Sequence, residues 1–316
     1  MVVRTIRPAA LAAGDLLGVV APASGPVNMA GVMRGKRYLE RQGFKVQLSA
    51  GVLRRTGYLA GSGEERLADL EEMFSSPVIK GIICLRGGYG SMHLLEKLDY
   101  ELIAANPKVF VGYSDITALH LAIGQKTGLV TFHGPMLASD WGQRPPPYTW
   151  ECFQQAVQTA GPVGRIANPQ EGSQLYTVVP GKASGVLKGG NLSIITATLG
   201  TPFEINTRGC ILFLEEIGEQ PYRVDRMLTQ LSLAGKLQQA AGIVIGECFD
   251  CEPRTASAEE EITLAEVFRR CLGALGIPCF YGLKLGHTAE KATLPLGVEA
   301  EIDADQCQLV VGRATG

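Results

Sequence analysis

Between residues 16 and 133, short apolar runs alternate with stretches of helical periodicity, and this alternation restricts the fold more than any other feature of the chain. Strands are predicted at 16–21, 44–48, 79–85, 109–112 and 129–133. Helices are predicted between them at about 30–41, at 62–74 behind the capping box Ser62-Gly63-Glu64-Glu65, and at 115–126. Parallel strands need crossover connections, so repeated strand–helix–strand units predict a mainly parallel sheet with helices on both faces, an α/β/α sandwich. Beyond it, Arg144-Pro145-Pro146-Pro147-Tyr148 can continue neither a helix nor a central strand. A linker is therefore placed at 141–180, between an N-terminal domain, 1–140, and a C-terminal domain, 181–316. The second domain reads as β-rich α/β. Strands are expected at 184–188, 210–215 and 242–246, with a cluster between 293 and 311. Helices are expected at about 192–199, 222–234 and 260–272, with Pro221 suited to the first turn of the middle one.

The chain has 316 residues, 46% of them hydrophobic, which is enough for a large core and favours two domains over one. Its 29 Lys and Arg against 31 Asp and Glu leave a formal charge of -2, so neither nucleic acid nor an anionic membrane is indicated as a partner. No apolar run reaches the roughly 18 residues of a membrane span, and a cytoplasmic start is expected. The eight cysteines are scattered, several within apolar patterns such as Gly81-Ile82-Ile83-Cys84-Leu85, and predict buried thiols in a reducing compartment. Cys248-Phe249-Asp250-Cys251 has C-x-x-C spacing but no second pair and no nearby histidine, so zinc is not expected.

Ligands of parallel sheets bind at the carboxyl ends of the strands. Three predicted ends carry unusual residues: Arg86-Gly87-Gly88-Tyr89-Gly90, Ser114-Asp115 and His133-Gly134-Pro135. A serine on a sharp strand-to-helix turn has an exposed hydroxyl, and the helix N-terminus favours a developing oxyanion. The same serine can equally be a helix cap. A nucleophile needs a base, and the histidines are His93, His120, His133 and His287. His93 and His120 fall in helical patterns, and His120 is nearly two turns beyond Ser114. His133 ends a strand beside the serine strand, and His287 follows Leu283-Lys284-Leu285-Gly286 at another strand exit. Of the carboxylates in Phe213-Leu214-Glu215-Glu216-Ile217, only one can face a given site, because consecutive strand residues point to opposite sides. The alternative leaves one in solvent and one capping the next helix. The glycine turn at 86–91 can bind an anion through its amides, but it has neither P-loop nor dinucleotide-binding order. Gly189-Gly190-Asn191 is a weaker signal of the same kind.

Taken together and in order, these segments resemble the L,D-carboxypeptidase family of serine peptidases, also called muramoyltetrapeptide carboxypeptidases. The similarity runs from Val19-Val20-Ala21-Pro22-Ala23-Ser24 through Arg86–Ser91, Gly112–Thr117, Gly134-Pro135-Met136 and Lys188–Leu192. It continues through 213–217 and Pro221–Arg226 to Gly286-His287 and Leu294-Pro295-Leu296-Gly297. The resemblance implies a triad of Ser114 as nucleophile, His287 as base and Glu215 as its orienting group. It implies an oxyanion hole from backbone N–H groups of Asp115 and the glycine turn, with Gly88 the expected donor. The implied substrate is a murein tetrapeptide that loses its terminal D-alanine in peptidoglycan recycling, with neither metal nor organic cofactor. Arg86, Tyr113, Lys188 and Arg223 are candidates for holding the substrate, and a homodimer is the implied assembly. A relative that inactivates peptide–nucleotide antibiotics is the nearest alternative, for which Trp141, Tyr148 and Trp150 would supply an aromatic wall. Further alternatives are a non-catalytic anion-binding α/β protein and a triad with His133 as base.

Overall fold

The computed structural model describes residues 4–169, 174–253 and 262–316. In chain order the elements are β1 (Leu16–Val20), α1 (Met29–Arg41), β2 (Lys45–Leu48), α2 (Gly63–Ser75), β3 (Ile79–Cys84), α3 (Tyr100–Ala105), β4 (Val109–Gly112), α4 (Thr117–Thr127), β5 (Thr131–His133) and α5 (Pro147–Gln158). There follow β6 (Pro162–Ile166), β7 (Tyr176–Val179), β8 (Lys182–Asn191), α6 (Leu192–Ala197), β9 (Cys210–Glu215), α7 (Pro221–Leu233), α8 (Lys236–Gln239) and β10 (Gly242–Gly246). The chain ends with α9 (Leu264–Leu272), β11 (Cys279–Leu283), β12 (Leu294–Leu296), β13 (Glu299–Asp303) and β14 (Gln308–Arg313). These elements form two compact units. One is Met1–Val163 with Ala289–Val298 and Arg313–Gly316; the other is Gly164–Thr288 with Glu299–Gly312.

The sheet of the first unit has the order β12-β5-β4-β3-β1-β2. Its strands from β5 to β2 are parallel, and β12 lies antiparallel on β5, with Leu294 opposite His133. β4 and β5 are buried at every position, and β3 at all but Lys80, as expected when both faces of a parallel sheet are covered. Chain order runs from β1 to β2 in one direction and from β3 to β5 in the other. The sheet therefore reverses between β1 and β3, the place where such folds open a crevice at their carboxyl ends.

The second sheet has the order β6-β14-β13-β8-β9-β10-β11-β7. β8 to β11 are mutually parallel, while β13, β14 and β7 pair antiparallel. β9, β10 and β11 are buried throughout, whereas β13 alternates exposed and buried residues and so has one face in water. The mixed α/β architecture, with its mainly parallel first sheet and strand-rich second one, is the one predicted. The capping box at Ser62 is present, with both reciprocal hydrogen bonds.

Two expectations need correction. The span 141–180 is not a linker: it carries α5, β6 and β7. Pro147 stands in the first turn of α5, where its missing N–H costs nothing, so the prolines read as breakers in fact start a helix. The terminal strand cluster does not belong to one domain either, because β12 returns to the first sheet while β13 and β14 join the second. The predicted start of the helix at Glu260 lies outside the described residues; α9 runs from Leu264. Among the described residues no helix is long and apolar enough to cross a membrane.

Candidate active site

In the first unit Ser114 follows β4 and opens a 3₁₀ turn, Ser114–Ile116, that leads directly into α4. Its φ is 63°, in the left-handed region that costs a non-glycine residue about 1–2 kcal/mol. The serine is not a cap: neither the 3₁₀ turn nor α4 has a side-chain capping bond. Strain without a capping return is what a strand-to-helix elbow stores in order to hold a hydroxyl outward.

The glycine turn lies against this serine. A Cβ on Gly87 would stand 2.8 Å from Ser114 Cβ and 2.9 Å from its Oγ, so only glycine permits the approach. Gly88 has φ 110°, and Ser24 Oγ accepts a hydrogen bond from Tyr89 N–H at 3.2 Å, which ties the turn to the loop after β1. Asp115 is buried; its carboxylate accepts the Ser91 N–H at 2.8 Å and its carbonyl accepts the Ser91 hydroxyl at 2.6 Å. Gly87→Ala is expected to displace Ser114 and lower kcat by a factor of about 10² or more, with a smaller change in KM, in steady-state kinetics.

Three supports, Arg66, Asp140 and Lys291, were not read from the sequence. Arg66, 1% exposed, donates from Nη1 to Pro22 O at 2.6 Å and to Gly90 O at 2.8 Å, clamping the loop after β1 to the glycine turn. Its position had a signal: Arg66 shares the buried stripe of α2 with Leu70, Met73 and Phe74. Asp140 and Lys291 form a buried ion pair. The Tyr113 hydroxyl donates to Asp140 at 3.2 Å, and the Lys291 ammonium lies 5.1 Å from the Tyr113 ring centre. Tyr113, expected to touch substrate, is thus a buried strut beneath the elbow. His133 is also buried, its ring 5.9 Å from that of Tyr113. His93 packs edge-on against Tyr89.

His120 donates from Nε2 to Gly112 O at 2.8 Å, at the end of β4. Burial lowers its pKa from 6.5 to about 4, so it is neutral in the folded protein near neutrality. The unfolded chain binds a proton here below about pH 6.5 and the folded one only below about 4. This contribution is therefore complete above pH 6.5 and is lost as the pH falls toward 4, by up to about 3 kcal/mol. Urea unfolding across that window should show the decline, and His120→Gln, which keeps a donor without titrating, should flatten it.

In the second unit Glu215 ends β9, and His287 follows β11 in the next loop but one along the sheet. His287 Nδ1 donates to Glu215 Oε2 at 2.8 Å. Glu215 is fully buried, and Gly286, at φ 73°, makes room for it: a Cβ there would meet Oε2 at 2.2 Å. A buried carboxylate bonded to Nδ1 fixes the tautomer in which Nε2 is the basic nitrogen. Glu216 points the other way, as strand alternation requires. It accepts the Ser193 N–H at 2.8 Å, the Ser193 hydroxyl at 2.7 Å and Asn191 Nδ2 at 3.0 Å, closing the start of α6. Burial raises its pKa from the ordinary carboxylate value, against the lowering effect of these hydrogen bonds. Neither carboxylate lies in solvent, in contrast to the structural alternative drawn from the sequence. Of the other substrate candidates, Lys188 donates to Asn206 O at 2.9 Å and Arg223 pairs with Glu219 at 3.3 Å. Among the described residues no cluster of three His, Cys, Asp or Glu side chains could hold a metal ion.

Of the three residues expected to form an aromatic wall, Trp141 is core, whereas Tyr148 and Trp150 are half-buried. Trp141 is 1% exposed and stacks on Tyr38 at 5.3 Å, and Trp150 packs against Phe44, Trp141 and Phe153.

A left-handed serine at a strand-to-helix turn, and a buried carboxylate orienting an imidazole, are the working parts of serine hydrolases. Residues 17–134 match the LD-carboxypeptidase N-terminal domain and residues 184–302 the LD-carboxypeptidase C-terminal domain. The chain belongs to the LD-carboxypeptidase family, and with it to the peptidase hydrolases. It is 43% identical over 306 residues to a probable murein peptide carboxypeptidase of Bacillus subtilis, covering 96% of this chain and 94% of that one. Among solved structures it is similar to the microcin self-immunity protein MccF, with a TM-score of 0.91, 30% identity and coverage of 98% and 100%. It is also similar to the muramoyltetrapeptide carboxypeptidase of Oxalobacter formigenes, with a TM-score of 0.83, 31% identity and coverage of 95% and 100%.

Proposed function

We propose that the protein is a serine L,D-carboxypeptidase that removes the terminal D-alanine from murein tetrapeptides in peptidoglycan recycling. Ser114 Oγ attacks the carbonyl of the L-centre while His287 Nε2 takes its proton. Glu215 holds the imidazole and stabilises the imidazolium. Backbone N–H groups of Asp115 and Gly88 receive the oxyanion. His287 then protonates the departing amine of D-alanine, and a water that gives its proton to His287 hydrolyses the Ser114 ester. The observation that carries the reading is the 2.8 Å contact between His287 Nδ1 and the buried Glu215, since a carboxylate without solvent is retained where an imidazolium must form. The reading includes a cytoplasmic location and a homodimer, the latter open to sedimentation analysis.

A second reading keeps these residues and changes the amide to that of a peptide–nucleotide. Its support is the likeness to MccF. The burial of Trp141 in the core weighs against it. Chromatography of reactions with murein tetrapeptide, with its L-alanine-terminated diastereomer and with a peptidyl-nucleotide amide separates the two. Release of alanine from the first alone is expected, and cleavage of the nucleotide amide alone would replace the proposal with the second reading.

A further inference from the structure

The loops after β1, β2 and β3 line a cavity of about 280 Å³, at the point where the strand order of the first sheet reverses. Its walls include Ser24, Val27, Arg55, Tyr58 and Arg86. No carboxylate lines it, and among the described residues neither Arg55 nor Arg86 forms an ion pair. The neighbouring Arg54 behaves differently: it pairs with Asp69 at 3.2 Å and Glu65 at 3.5 Å. Asp69 also accepts the Gly51 N–H at 2.8 Å and the Ser49 hydroxyl at 3.2 Å, so the loop that presents Arg55 is anchored. Two uncompensated guanidinium groups in one concavity make an anion site, and the planar fork of arginine suits a carboxylate.

The rim is apolar. Tyr58, 67% exposed, meets Tyr89 edge-to-face at 5.4 Å, and Val27 is 72% exposed. The cavity is also joined to the elbow. Ser24, in its wall, bonds the Tyr89 amide of the turn whose Gly87 lies against Ser114.

We infer that this cavity is the subsite for the leaving residue, with Arg55 and Arg86 holding its terminal carboxylate and the Tyr58–Tyr89 rim covering its methyl group. The inference rests on the proposed function and deepens it by assigning how a free chain end is recognised. It selects Arg86 from the four candidates and adds Arg55, which sequence reading did not single out.

The test uses N-acetyl-L-lysyl-D-alanine and its C-terminal amide as probes, titrated calorimetrically into the Ser114→Ala protein, alone and combined with Arg55→Gln or Arg86→Gln. The acid is expected to bind at least 10-fold more tightly than the amide, and the preference should collapse in either arginine variant. In the Ser114-intact enzyme, Arg55→Gln should raise KM for tetrapeptide about 10-fold with a smaller effect on kcat. An acid preference that persists in both variants, or equal binding of acid and amide, overturns the inference. So does AMP displacing the acid from the parent protein but not from the Arg55→Gln form, which would assign the cavity to a phosphate. Arginine-dependent binding of the acid with no turnover of tetrapeptide by wild type would leave the subsite standing and sink the proposed reaction instead.

Discussion

Replacing Ser114 by alanine or glycine is expected to lower kcat by a factor on the order of 10⁴ to 10⁶, because either change removes the atom that forms the ester. The two variants should part company in stability. Alanine keeps a Cβ at φ 63° and therefore keeps the strain, whereas glycine adopts this conformation without steric cost. The left-handed penalty is about 1–2 kcal/mol, and the freer unfolded chain of a glycine variant returns about 0.4–1 kcal/mol of it. Ser114→Gly should therefore be the more stable of the two by up to about 1.6 kcal/mol in denaturant unfolding. A glycine variant that is both inactive and more stable would show that the backbone is held in this state for the hydroxyl, at the expense of the fold. A glycine variant less stable than the alanine one would mean that the local conformation is not strained.

Glu215→Gln should lower kcat by about 10³ to 10⁴ with little change in KM. The carboxylate accepts from His287 Nδ1, and burial denies the pair any replacement by water. An amide presents an NH₂ that favours the opposite tautomer, with the proton on Nε2, where it can no longer receive one from serine. Glu216 supplies the control. It sits one residue away, equally buried, but bonds the start of α6. Glu216→Ala should cost about 1–3 kcal/mol of stability while leaving kcat within a few-fold. Parallel kinetics and unfolding of the two variants check this division, and a large kcat loss at both positions would contradict it.

The sequence was informative where local pattern decides the outcome. Apolar runs and a capping box placed β1 to β5 and α2 within a residue or two, because each is fixed by its own periodicity and end groups. Alternation along β9 said that Glu215 and Glu216 must part, but not which would meet the histidine. That depends on Gly286, far along the chain, leaving room at Oε2. The positive φ of Ser114 had no local signature, since serine is not a residue that prefers it. Misreadings came from long-range context. Pro147 looks like a breaker until α5 begins on it. The pairing of β12 with β5 joins residues about 160 apart in sequence and leaves no periodic trace. Arg66 stood in plain view on the apolar stripe of α2, but a buried arginine is recognisable only once the carbonyls of Pro22 and Gly90 are seen to converge on it.

The most direct measurement of the central claim is mass spectrometry of free murein tetrapeptide after incubation with the wild-type protein and with Ser114→Ala. Conversion to the tripeptide, with loss of one alanine, by the wild type alone is the result predicted. Tripeptide formed equally by the alanine variant, or none formed by folded wild-type protein, would contradict it.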